Sequence, residues 1–201
     1  NATIQKAMRM MNSKQLGAFD VNQAPAQTRE AFGDTPFGRG CLAAIQLIST
    51  GVRCVEVTLQ GWDTHVNNHE SHTRQNAILD PAFAALIREL RVRKMLDETI
   101  VICAGEFGRT PKINAAGGRD HWPTGFSLAL AGGGFKGGHV HGATDPTGIS
   151  KEPQNPIRIA DIHSTVLSAL GIEFEKEMMT PIGRPMALSK GNVIKSLLKT
   201  V

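Results

Sequence analysis

Apolar and polar positions change period several times between residues 33 and 104. In 33–50, Cys41, Leu42, Ala44, Ile45 and Ile48 recur at helical spacing, and Asp34 or Thr35 followed by Pro36 marks a helix start. Gly51 closes that helix. The run VRCVEVTL at 52–59 then reads as a buried strand, interrupted by Arg53 and Glu56. Phe83, Leu86, Ile87 and Leu90 form one helical stripe over 80–95, with Asp80 as the cap and Pro81 in the first turn. TIVICA at 99–104 is almost wholly apolar, the pattern of a strand covered on both faces in a parallel sheet. Strand, helix and strand in this order predict a right-handed crossover. A third strand is predicted at 126–131. A helix is predicted at 159–170, with Ile162, Val166, Leu167 and Leu170 on its apolar side.

The flanks are less patterned. Residues 1–31 are polar with a few apolar anchors, and only 4–11 suggests a short helix. The segment 135–156 is rich in Gly and Pro, a long loop of the kind that is more often functional than idle. The tail from 173 ends in a short amphipathic stretch at 193–198. The predicted organisation is therefore a weakly structured segment, 1–31, followed by an α/β domain, 32–201.

Composition narrows the classes. The chain has 201 residues, 41% hydrophobic and 20% charged, ordinary for a soluble globular protein. The net charge of +4 comes with scattered Lys and Arg, which does not support a nucleic-acid footprint. No apolar run reaches the ~18 residues of a membrane span. The cysteines, Cys41, Cys54 and Cys103, have no CxxC spacing and read as small hydrophobes. No signal-peptide pattern is present. The chain starts at Asn1, which suggests a processed or truncated product.

The candidate chemistry sits where predicted strands end, the usual place for sites in open α/β sheets. After 52–59 come Gly61, Trp62, Asp63 and His65. Residues two apart on an extended backbone point the same way, so one carboxylate and one imidazole can face one ion. After 99–104 come Gly105, Glu106, Gly108 and Arg109; the guanidinium fork suits phosphate or sulfate oxygens. Asp120 and His121 follow, bracketed by Gly117, Gly118 and Pro123. The acidic–imidazole pairs are expected to converge on one pocket. His69 and His72 read as solvated loop histidines, because Asn67 and Asn68 disfavour helix there. His139 and His141 form a weaker metal-like pair, and His163 reads as a packing residue of its own helix. No GxSxG or P-loop motif occurs.

The segments FGRGCLAAIQLISTGVRCVEV, GWDTH, LDETIVICAGEFGRTP, GRDHWP, AGGGFKGGHVHGATD and DIHSTVLSALGI resemble a large bacterial family of unknown function, family 1501. That family is loosely called sulfatase-like and is grouped with the alkaline phosphatase superfamily. The resemblance covers residues 32–198 and is to the C-terminal half of longer members, often exported. It implies a three-layer α/β/α sandwich with a mostly parallel sheet, incomplete at the N-terminus. It also implies one or two divalent ions (zinc, or calcium, magnesium or manganese) and a periplasmic or secreted location. The ligands would be Asp63, His65, Asp120, His121 and Glu106, with Arg109 holding a small anionic ester. The superfamily places Asp-His directly after the second strand, where this chain has Glu106 and Phe107. Its nucleophile segment would precede Asn1. The implied function is metal-dependent hydrolysis of phosphate or sulfate esters; the alternative is a non-catalytic member that binds a ligand or partner.

Overall fold

A computed structural model describes residues 2–148, 150 and 152–199, with only the backbone of Lys14. The expectations that touch Asn1, Ile149, Lys151, Thr200 and Val201 lie outside the described residues. The chain divides into two units, Asn1–Arg93 and Lys94–Val201.

The first unit is helical: α1 is Ala2–Met11, α2 Ala26–Phe32, α3 Pro36–Ser49 and α4 Asn68–Val92. Short 3-10 turns at Lys14–Phe19 and Val21–Gln23 link α1 to α2. α3 starts as its sequence predicts. Thr35 Oγ1 accepts a hydrogen bond from Gly38 N at 3.0 Å, and Pro36 takes the first helical position, where its missing N–H costs nothing. Gly51, at φ 89°, follows the helix in the left-handed region that favours glycine. Phe32, Cys41, Leu42 and Ile45 are buried, as are Ala82, Ala85 and Leu90 of α4. These residues make the core in which α2, α3 and α4 pack together. Burying one such side chain as large as Ile45 contributes about 1.5–3 kcal/mol.

Two expectations for this unit need correction. α4 is 25 residues long and carries Pro81 in its interior, so Asp80 and Pro81 do not start it. The helix starts at Asn68, after the N-cap Asn67 at φ 46° and ψ 46°, with Glu70 in the first turn. His69 and His72 consequently lie on a helix, not in a solvated loop. The second correction is 52–59, which forms no ladder. Among the described residues, no backbone–backbone hydrogen bond involves 53–62. From Val55 on, the burial still alternates with period two: Val55, Val57 and Leu59 are half-buried, and Glu56 and Thr58 are exposed. A Cβ at Gly40 of α3 would sit 2.9 Å from Val57 Cγ1, so a glycine there lets Val57 come close to the helix. Alternation sets which side chains face inward, but a ladder needs a neighbouring backbone that periodicity does not supply.

Among the described residues, the second unit contains three two-stranded antiparallel sheets and one α-helix. β1, Ile100–Cys103, pairs with β4, Ala129–Gly132, in the register Ile100↔Gly132 to Cys103↔Ala129. β2, Gly108–Arg109, pairs with β3, His121–Trp122. β5, Glu177–Met179, pairs with β6, Pro185–Ala187. α5 is Ile159–Ala169. The mostly parallel three-layer sandwich is thus overturned. The described ladders are short, antiparallel and separate. The apolar run 99–104 predicts burial on both faces; in β1, Val101 is buried and Ile102 is 47% exposed. An apolar run reports hydrophobicity, not strand direction.

α5 departs from its expected apolar side. Asp161, Ser164 and Thr165 are its buried residues, while Leu170 at its end is exposed. Their polar atoms are satisfied. Asp161 accepts from Arg158 Nη2 at 2.9 Å and Asn192 N at 2.7 Å. Ser164 donates to Ser189 Oγ at 2.9 Å, and Thr165 Oγ1 accepts from Ile194 N at 2.9 Å. The tail at 189–194 is therefore tied to α5 by hydrogen bonds. Beyond it, the predicted helix at 193–198 is a 3-10 turn, Lys195–Leu197, and Lys136 N donates to Leu197 O at 2.8 Å.

Candidate functional site

In the first unit, the candidate residues lie between Gly61 and α4. Gly61 has φ 97°, and a Cβ there would meet Gln75 Nε2 at 2.2 Å. The positive φ favours glycine here, and a Cβ would push aside the end of the Gln75 side chain. Thr64 is 4% exposed and turns inward. Its Oγ1 accepts from Asn68 Nδ2 at 2.6 Å and lies 3.2 Å from His72 Nε2. The Trp62 ring meets His72 edge-on, with centroids 5.2 Å apart. With Thr64 held inward, its neighbours Asp63 and His65 face outward together. Asp63 Oδ1 and His65 Nε2 are 3.1 Å apart, with side chains 68% and 46% exposed. The alternation that predicts this pairing is read directly from sequence. The anchor, Thr64, was missed, although it is the in-facing residue of the same alternation.

In the second unit, β1 is followed by Gly105 and the exposed Glu106. The β2–β3 pairing then sets Arg109 opposite His121. Directly opposite residues share one face of a sheet. The His121 and Phe107 rings stack at 4.2 Å between centroids with a 42° tilt. The Arg109 guanidinium carbon lies 5.7 Å from the centre of the same Phe107 ring, within cation–π range. Arg109 Nη1 donates to Arg119 O at 3.3 Å. Phe107 is thus the platform for both candidate residues, a role its position in EFGR did not announce. A Cβ at Gly108 would meet Gly125 O at 2.3 Å, so this glycine admits a close backbone approach.

The loop between β2 and β3 is closed by its own side chains. Asn114 Oδ1 accepts from Ala116 N and Gly118 N at 3.0 and 2.9 Å. Asn114 Nδ2 donates to Asp120 Oδ1 at 3.2 Å. Arg119 Nη1 donates to Thr110 O at 2.6 Å. Asp120 therefore engages the loop turn through its carboxylate, while His121 joins Phe107. Of the remaining histidines, His139 and His163 are exposed, and His141 Nδ1 lies 3.1 Å from Ser196 Oγ.

A family model described as "Protein of unknown function (DUF1501)" matches residues 1–198, nearly the whole chain. The chain belongs to the DUF1501 family. No curated protein and no solved structure matches it. Membership of DUF1501 assigns no activity, so the chemistry has to be argued from the residues. No described helix is long and apolar enough to cross a membrane.

Proposed function

We propose that this DUF1501 chain binds a divalent cation through Asp63 and His65 and serves as part of a metal-dependent hydrolase of phosphate or sulfate esters. The observation that carries the reading is the outward pairing of Asp63 Oδ1 and His65 Nε2, which contact each other at 3.1 Å, a hydrogen-bond distance that a bound ion would take over. Metal–ligand bonds of about 2.0–2.2 Å place adjacent ligand atoms roughly 3 Å apart, so the pair has the spacing of neighbouring ligands on one ion. Carboxylate oxygen with imidazole nitrogen suits zinc or manganese better than calcium.

A bound ion would supply Lewis-acid polarisation of an ester oxygen or activation of a water. Asp63 and His65 would hold it, and Thr64 would keep both facing outward through Asn68 and His72. Arg109, braced on Phe107 beside His121, presents a planar guanidinium to an anionic ester. Glu106, Asp120 and His121 are the further candidate ligands by the sequence argument. Glu106→Gln, Asp120→Asn and His121→Ala each test that extension: a loss of metal affinity supports a ligand role, and unchanged affinity opposes it. A periplasmic or secreted location belongs to the same reading.

One observation favours the second reading, a non-catalytic ligand binder. Thr64, the hydroxyl closest in sequence to the pair, is buried and bonded to Asn68, so it is no nucleophile. Metal analysis of the purified chain, with assays on aryl phosphates and aryl sulfates, separates the cases. Bound ion with turnover that Asp63→Asn abolishes supports the hydrolase. Bound ion without turnover supports the binder. Absence of any bound ion removes the hydrolase reading and leaves a binder that needs no ion.

A further inference from the structure

We propose that α1 docks on the surface of an anionic lipid bilayer. Every residue of α1 is exposed. Ile4, Ala7, Met8 and Met11 recur at three and four residues and share one face; Lys6 and Arg9, three apart, share the opposite one. Ile4, Met8 and Met11 are 58%, 57% and 74% exposed, so no described residue covers the apolar face.

Charge selects the partner. Residues 1–19 contain three of the chain's 22 cations, Lys6, Arg9 and Lys14, and none of its 18 acids. That stretch accounts for +3 of the +4 net charge, and the rest of the chain is nearly neutral. A short helix with an apolar face, a cationic face and no acid is suited to the headgroup region of an anionic membrane. The helix also gains from a surface. Ten residues that bury nothing fall short of the roughly 12–15 that sustain an isolated helix in water. Its attachment is ready-made: Gln15 Nε2, just beyond α1, donates to Thr50 O at 3.2 Å and ties the stretch to the end of α3.

Co-sedimentation of the full chain with vesicles tests this. Binding is expected to vesicles of mixed phosphatidylglycerol and phosphatidylcholine, but not to phosphatidylcholine alone. It should weaken about fivefold for each cation removed by Lys6→Gln or Arg9→Gln. It should weaken further with Met8→Ser and fall away at high salt. Because α1 buries nothing, these variants should keep the thermal midpoint of the parent chain. Equal binding to neutral vesicles would overturn the proposal, as would no binding to anionic ones. So would a lipid-free dimer that Met8→Ser dissolves, which would instead give the face to a second copy.

Discussion

Replacing Thr64 by Val probes the anchor of the candidate site. Valine keeps the shape of threonine and removes only the hydroxyl. That hydroxyl accepts from Asn68 Nδ2 at 2.6 Å and contacts His72 Nε2 at 3.2 Å. Asn68 is 9% exposed, so its amide loses an acceptor where water does not readily replace it. Leaving one buried donor unsatisfied costs about 1–3 kcal/mol. Adding Asn68→Ala removes the orphan, so the double variant should cost less than the two singles summed, with a coupling of about 0.5–3 kcal/mol. Urea unfolding followed by Trp62 fluorescence reports on this unit, once Trp122→Phe has silenced the chain's other tryptophan. With a urea slope of about 1–3 kcal/mol/M, a loss near 2 kcal/mol moves the midpoint by roughly 1 M. The same variant should weaken metal binding about tenfold or more, as loss of a supporting residue does elsewhere. A midpoint equal to the parent's, or strictly additive singles, would refute the anchoring role.

Other consequences follow from the second unit. The Arg158 side chain, with help from the Asn192 N–H, holds the Asp161 carboxyl well below its ordinary value, against the opposing effect of burial. A carboxyl with a lowered folded-state pKa stabilises the fold fully above its unfolded value, here 3.8, and loses that stabilisation as pH falls through the folded value. Asp161→Asn should therefore flatten the acid limb of the stability curve below about pH 4, measured by thermal unfolding across pH; an unchanged acid limb would remove Asp161 as its source. Gly108→Ala would drive a Cβ toward Gly125 O and cost about 1–3 kcal/mol, disturbing the Arg109–His121 pairing. Amide exchange at Thr110, whose N–H donates to Asp120 O at 2.9 Å beside this pairing, should rise in that variant, and unchanged protection would show that the close approach is tolerated.

What the chain disclosed in advance depended on whether the signal was local. α3 was legible because Thr35, Pro36 and Gly51 each act on their immediate neighbours. The end of α5 at Gly171, with φ 72°, was legible for the same reason. The start of α4 was not, because Asp80–Pro81 imitates a helix beginning and the helix simply continues through it. Strand direction was misread because Ile100–Cys103 is apolar in either direction, and only its partner, Ala129–Gly132, decides. The buried polar side of α5 was hidden because Ser189, Asn192 and Ile194, which satisfy it, are more than twenty residues away. In the candidate site, the outward pairing of Asp63 and His65 was legible from alternation. The roles of Phe107 and Asn114 required the β2–β3 hairpin to be known.

Zinc titration of the intact chain, read by calorimetry beside Asp63→Asn and His65→Ala, addresses the central claim most directly. One ion should bind the parent chain, and each variant should weaken that binding about tenfold or more. Unaltered affinity and stoichiometry in both variants would contradict the assignment of this pair as cation ligands.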